Sequence, residues 1–369
     1  MKDKIRILIH GLGSNFAGGV ESFIINYFRN LDKDKFHFDF ICYDKEPAYC
    51  HEIVNQGSNI YFISGRRKNY FLCCKQLENI YNENEYDVVW SNACSLSDIL
   101  VIKFAYKNKV KKRIIHAHNN NIKPKQILTK ILHNINKRKI IKYSTDFWAC
   151  SQSAGYFMYP DNVMRSPKFK IIYNAIEAKK FSFDKNSRLR KRKELNLEGK
   201  IVFGHIGRFH YQKNHEYLIK IFIEIYKKNQ QAVLVLIGDG ELRSSIEKIV
   251  ERNNLTDIVR FLSKREDIPD LLNAMDAFIF PSNYEGLGIV LIEAQASGLQ
   301  CFVSDIIPQE AIVTDEVYKF SLDETPISWA EKIIKNLNNE RKNNYSYIRE
   351  KGYDIKNETI LLEKYFSED

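Results

Sequence analysis

No apolar run in this chain approaches the roughly 20 uninterrupted residues of a membrane-spanning helix. The opening Met1-Lys2-Asp3-Lys4-Ile5 leads directly into a strand pattern, not the apolar core of a signal peptide, and a cytosolic protein is expected. The cysteines are seven, an odd number without a CxxC pair; adjacent Cys73 and Cys74 suit neither zinc nor a disulfide framework, so all seven read as reduced thiols. Repeats and low-complexity tracts are missing from the tail 328–366. Acidic residues are missing from one long stretch: 99–145 has no Asp or Glu and thirteen Lys or Arg, in a chain of net charge +10. Such a block faces anions, with nucleic acid, an anionic membrane surface or a phosphorylated lipid as possible partners, but no nucleic-acid motif accompanies it. The run Arg188-Leu189-Arg190-Lys191-Arg192-Lys193 reads as the charged surface of a linker helix.

What is present is a long alternation of strand-like and helix-like segments, and 369 residues suit two domains. Strand patterns at 5–10, 36–43, 60–63, 88–91, 113–117, 147–150 and 170–173 are separated by helical ones from about Val20, at 70–81 and at 125–142. A polar stretch, 178–200, interrupts them. A second alternation has strands at 201–206, 233–237, 259–262, 277–280 and 301–304, with helices from Asn214 and Glu241 and a helical tail over 328–366. The expectation is an α/β protein of two Rossmann-like doubly wound domains, 1–178 and 179–350, with 351–369 as a final helix. Ligands then bind in the cleft between them.

The richest segment is Phe280-Pro281-Ser282-Asn283-Tyr284-Glu285-Gly286-Leu287-Gly288, which opens a helical run over 289–296 containing Glu293. The strand stops at Pro281, the glycines free the turn, and the N–H groups at the helix start point outward to make an anion site suited to phosphate. Glu293 follows Glu285 by eight residues, roughly 12 Å along a helix axis and about 80° around it. One carboxylate can therefore reach each end of an elongated ligand, each accepting from two sugar hydroxyls around a diphosphate held by the turn.

The strand 201–206 leads into Gly207-Arg208-Phe209-His210-Tyr211-Gln212-Lys213-Asn214-His215, placing Arg208 and Lys213 where both cations can converge on one diphosphate. Gly238-Asp239-Gly240 after the next strand permits close backbone approach. Near the start, Gly11-Leu12-Gly13-Ser14-Asn15-Phe16-Ala17-Gly18-Gly19-Val20-Glu21 competes as a dinucleotide fingerprint, but Phe16 and Ala17 lengthen the loop beyond G-x-G-x-x-G. His116 and His118 are expected to face opposite ways at the end of a strand and lack a third partner, which argues against a metal. His118, nearer the strand's carboxyl end, is the better site candidate, and Asn174 occupies the corresponding place after 170–173.

In combination, Gly18-Gly19-Val20-Glu21, His116-Ala117-His118-Asn119, Asn174, Gly207-Arg208, Gln212-Lys213-Asn214-His215, Gly238-Asp239-Gly240 and Glu285-x7-Glu293 resemble the retaining family-four (group 1) glycosyltransferases, most closely the bacterial capsular and exopolysaccharide branch. The likeness covers nearly the whole chain. It implies a GT-B fold with an N-terminal acceptor domain, a C-terminal nucleotide-sugar domain and a final helix, here 354–366, crossing back to the first. It also implies that Arg208 and Lys213 hold the diphosphate, Glu293 the ribose and Glu285 the transferred sugar, assisted by N–H groups near Gly286 and Leu287. His118 would lie beside the reacting sugar, and Gly18 and Gly19 would let their loop approach the phosphates. Leu287, Gln300, Ala175 and Ser263 depart from the usual Phe, Pro, Gly and Gly, and none of these removes a charged group.

The function so implied is a retaining, metal-independent hexosyl- or N-acetylhexosaminyl-type transfer. The donor is a UDP-sugar and the acceptor a polyprenyl-diphosphate-linked saccharide in surface-polysaccharide assembly. No cofactor is expected, and the enzyme would sit peripherally on the inner face of the cell membrane. Two other classes compete: a Rossmann-type NAD-dependent oxidoreductase, which would be indifferent to loss of Glu285, and a catalytically silent nucleotide-sugar-binding scaffold, which the paired cations and carboxylates disfavour.

Overall fold

Short apolar runs rich in Ile, Val and Phe, each closed by a polar or glycine-containing turn, become strands buried on both faces of a parallel sheet. In the computed structural model, which describes residues 4–13, 19–43, 49–122, 126–338 and 340–368, they build two sheets in two compact units. One unit comprises Met1–Ala175 with Ile355–Asp369, the other Ile176–Asp354. The first holds β1 (Ile5–Leu12), β2 (Phe36–Cys42), β3 (Ile60–Phe62), β4 (Val88–Ala93), β5 (Lys112–Ala117), β6 (Asp146–Ala149) and β7 (Phe169–Ile171). Their order is β3-β2-β1-β4-β5-β6-β7, every pair parallel.

The second unit holds β8 (Ile201–Ile206), β9 (Ala232–Ile237), β10 (Val259–Leu262), β11 (Ala277–Phe280), β12 (Gln300–Ser304) and β13 (Val317–Phe320) in the parallel order β10-β9-β8-β11-β12-β13. Both sheets are doubly wound. Strand order reverses between β1 and β4 in one and between β8 and β11 in the other, and at such a switch the loops at the strands' carboxyl ends diverge to leave a ligand crevice.

The units change at 175/176 and 354/355, against the expected 178 and 350. Ile176 forms an isolated parallel bridge with Asp354, and its N–H donates to Tyr353 O at 2.9 Å, which fixes both ends of the second unit at one place. The helix Ile355–Ser367 belongs to the first unit: Phe366 packs against Trp90, Trp148 and Phe36 with ring centroids 5.5, 5.7 and 6.0 Å apart.

The run 188–193 is the solvated surface its charges suggested only in part: Arg190 and Lys193 are exposed. Lys191 and Arg192 are buried; Arg188 and Arg192 both bind Asp276, and Lys191 binds Asp267 at 2.8 Å. Arg188, Arg192 and Arg341 also donate to the carbonyls of 272–275, the negative end of the helix Ile268–Ala274. Arg188, Lys191 and Arg192 thereby hold the helix Lys185–Glu194 to its unit, after the short helix Ala178–Phe181 that opens it.

Removing Phe366 opens a cavity among three large aromatic side chains. Phe366→Ala is expected to cost the first unit about 3–5 kcal/mol, checked by urea unfolding followed through tryptophan fluorescence.

Candidate functional site

The β8/β11 switch gathers the strongest constellation. After β8 a short 3-10 turn, Tyr211–Lys213, is capped by the His210 ring, whose Nδ1 accepts from Gln212 N at 3.0 Å. After β11 the loop 281–288 returns against this turn: Asn283 N donates to Gln212 O and its Nδ2 to Tyr211 O, both at 2.7 Å. The clamp aims Lys213 and Gln212 at Glu285. Lys213 Nζ donates to Glu285 Oε1 at 2.6 Å, and Gln212 Nε2 donates to Oε2 at 3.0 Å. The Glu285 side chain is 4% exposed and that of Lys213 14%. Lys213 Nζ also lies 4.6 Å from the centre of the Phe280 ring.

Burying a carboxylate costs several kcal/mol unless fixed donors replace its water, and here one donor meets each oxygen. Each oxygen keeps a further acceptor position for a ligand hydroxyl. Arg208 does not join this pair. Its side chain is 71% exposed and its guanidinium donates to Glu241 at 3.1 Å, so the two cations expected to converge are paired with different carboxylates.

Gly238 and Gly240 are required by the neighbouring loop. Phe209 N donates to Asp239 O and Leu242 N to Phe209 O, each at 3.0 Å, so the loops after β8 and β9 are zipped together. At Gly238 (φ +136°) a Cβ would fall on Gly207 O, and at Gly240 (φ +158°) it would stand 2.5 Å from Phe209 O. The backbone approach read from the sequence exists, and what it approaches is the Gly207–Phe209 loop. Leu287 packs partly on the core, Gly286 is open, and Gly288 (φ +78°) turns the chain into the helix Ile289–Ala296.

Glu293 lies on that helix, and no described residue hydrogen-bonds its carboxylate. Removal from water pushes its pKa up to about 8. It therefore waits protonated at neutral pH, able to donate one hydrogen bond and to accept others. His215, from the same motif as Lys213, points inward and stacks on Phe209 with ring centroids 4.2 Å apart; burial lowers its pKa to about 4, so it is a neutral core group.

In the first unit, His118 follows β5. Asn92 at the end of β4 donates through Nδ2 to His10 O at 3.2 Å, which fixes its amide so that Oδ1 faces His118 Nε2 at 2.8 Å. Nε2 must then carry the proton, leaving Nδ1 an acceptor with no partner among the described residues. Burial lowers its pKa to about 3, so His118 is neutral and suited to a hydroxyl rather than a phosphate. Its ring packs on Phe23 and His116 at 4.7 and 4.2 Å; the two histidines do not face opposite ways as expected, because positions two apart along an extended chain share a side. His116 is fully buried and accepts from Trp90 Nε1, a packing role. Asn174 follows β7, half-buried, with no side-chain partner among the described residues. Gly19 opens the helix Gly19–Asn30 with nothing within 4 Å of a would-be Cβ, while Gly18 lies outside the described residues.

Sequence reasoning left out Gln212 and Asn92 as side chains that position others. Gln212 sits inside a motif already singled out, and the signal available was its place beside Lys213. Asn92 had no such signal, because only strand pairing brings β4 beside β5.

Residues 187–354 match the family model of glycosyl transferases group 1. The putative glycosyltransferase EpsF of Bacillus subtilis is 30% identical over 344 residues, covering 91% of this chain and 88% of the relative. The Escherichia coli UDP-Gal:alpha-D-GlcNAc-diphosphoundecaprenol alpha-1,3-galactosyltransferase is 27% identical over 333 residues, covering 83% and 81%. Among solved structures, Anabaena HepE in complex with UDP and glucose superposes with a TM-score of 0.76 at 17% identity, covering 99% of this chain and all of that one. That likeness speaks for the fold, which is GT-B. Identity with EpsF extends far beyond the stretch matched by the family model, and the chain belongs to the group 1 glycosyltransferases.

Proposed function

We propose that this glycosyltransferase moves a sugar from a UDP-sugar to a lipid-diphosphate-linked saccharide in surface-polysaccharide assembly, with retention of anomeric configuration and without a metal. The observation that carries the reading is the Lys213–Glu285–Gln212 constellation at the β8/β11 switch, a fixed cation beside a carboxylate with spare acceptor positions. The donor class is supported by the UDP and glucose of the HepE complex, and the acceptor class by the diphosphoundecaprenol substrate named for the Escherichia coli relative.

In this reading Glu285 takes two hydroxyls of the transferred sugar, the N–H groups at Gly286 and Leu287 face the phosphates, and Lys213 meets the leaving diphosphate. Arg208 exchanges its exposed contact with Glu241 for a phosphate oxygen, an inexpensive change for a surface pair. The bond from the anomeric carbon to the phosphate oxygen breaks as the acceptor oxygen attacks the same face. The acceptor's proton passes to the leaving phosphate, so no protein base is needed, and the growing negative charge is met by Lys213. His118 Nδ1 accepts from a sugar hydroxyl, and Gly18, Gly19 and Asn174 belong to the donor's surroundings. The acid-free 99–145 segment draws the enzyme to an anionic membrane surface.

Glu285→Gln keeps shape and loses charge, leaving Lys213 unpaired; transfer is expected to fall by about 100-fold or more while nucleotide binding persists. Measured by UDP release from a panel of nucleotide sugars with lipid-linked acceptor extract, full activity in this variant would sink the mechanism. A preference for GDP-sugars would overturn the donor assignment.

Glu293 gives a pH signature. Two ribose hydroxyls select its ionised form, so binding releases a proton wherever the free carboxyl, with its pKa about 8, is protonated. UDP-sugar affinity should climb by up to tenfold per unit as pH rises toward 8 and level off above it. Calorimetry in buffers of different ionisation enthalpy checks this, and Glu293→Gln should abolish the proton release.

A further inference from the structure

The helix Ile127–Tyr143 is packed inside out. Its buried side carries Thr129, His133, Asn136 and Ile140, three of them polar. Each polar group is satisfied: Arg67 Nη2 donates to Thr129 Oγ1 at 2.7 Å, Leu96 N to His133 Nδ1 at 3.1 Å, and Asn136 Nδ2 to Leu96 O at 2.6 Å. His133 Nε2, the protonated nitrogen by this pattern, donates to Phe157 O at 3.2 Å. The outward side carries Ile127, Leu128, Ile131, Ile135 and Ile141, which are 68, 64, 50, 45 and 43% exposed. At about 100° per residue the two sets lie on nearly opposite faces. A helix between a core and water shows the reverse order.

Three more exposed apolar side chains lie on the segment that Arg67 ties to this helix. Tyr70, Phe71 and Leu72, at the start of the helix Tyr70–Glu83, are 50, 83 and 43% exposed, and Arg67 just before them is the residue tied to Thr129. Charge says what covers this face. The inverted helix has no acidic residue; Arg138, Lys139 and Lys142 share its outer side, Lys130 flanks it, and Lys68 stands beside the aromatic group. Apolar side chains beside uncompensated cations complement an anionic bilayer, whose headgroups take the charges and whose acyl boundary takes the rest. A second copy would bring the same cations against one another.

We infer that this face inserts into an anionic bilayer, with Phe71, Ile127, Leu128, Ile131 and Ile135 entering the headgroup–acyl boundary and Arg138, Lys139 and Lys142 meeting the headgroups. The inference rests on the reading that the acceptor is lipid-borne and deepens it: the contact is insertion, not charge attraction alone.

The test is partitioning of the full chain into phosphatidylcholine–phosphatidylglycerol vesicles. The exposed positions allow an Ile127→Ser/Leu128→Ser/Ile131→Ser variant with unchanged melting, and it is expected to lose about tenfold or more in partitioning. Separately, the emission of an Ile131→Trp variant should shift to the blue and be quenched by brominated acyl chains. Equal partitioning of native and triple variant, with the new tryptophan unquenched, overturns insertion and leaves electrostatic attraction standing. No partitioning of the native protein overturns both, and a dimer in solution that the triple variant loses would give this face to a second copy instead. Transfer to a water-soluble acceptor analogue should be equal in native and triple variant; no transfer by either to any acceptor marks failure of the functional reading, not of insertion.

Discussion

A carboxylate can be kept out of water only where fixed donors stand in for the water it lost, and Glu285 meets that condition through Lys213 on one oxygen and Gln212 on the other. The surrounding geometry follows from satisfying it. The 3-10 turn must present Lys213 and Gln212 together, so His210 caps it and Asn283 ties it to the opposing loop. Those loops can meet only because β8 and β11 are neighbours, which the strand order β10-β9-β8-β11-β12-β13 ensures. The glycines after β9 let a third loop close on the one after β8. A doubly wound sheet supplies the place, and an ion pair fixes the positions.

The strands were the most legible part of the fold. Strands of a parallel sheet are short apolar runs, and those at Ile201–Ile206, Val259–Leu262 and Ala277–Phe280 are legible to the residue. Short elements with few periodic positions, such as the helices Cys50–Asn55 and Leu100–Lys107 and the strand Val317–Phe320, left too little pattern to be read. Runs of charge misled at 188–193, because a sequence shows how many cations there are but not that Asp276, some 80 residues on, receives two of them. The helix over 127–143 was read as basic; that its apolar side faces outward depends on which side finds Leu96 and Phe157, which no periodicity reveals.

At the site, residue types in their order pointed to the family, and relatives carry that order across nearly the whole chain. Membership in the group 1 glycosyltransferases leaves the oxidoreductase and silent-scaffold alternatives without support. What order could not convey was electrical state. Lys213 and Arg208 look equivalent in sequence, yet one is a buried partner of Glu285 and the other an exposed partner of Glu241. His118 looks like a cation and is neutral, its tautomer set by an asparagine on the adjacent strand. Glu293 looks ionised and is held protonated by its surroundings.

The bridge between Ile176 and Asp354 makes the second unit, by topology, an inserted domain: the chain leaves the first unit once, returns beside its point of departure, and completes the first unit's core with a last helix. The core around Trp90 and Trp148 therefore cannot close during synthesis until everything between has emerged, because Phe366 follows the whole of the second unit in the chain. A core begun before the second unit is finished by a helix that follows it, and the second unit has the whole interval in which to fold on its own.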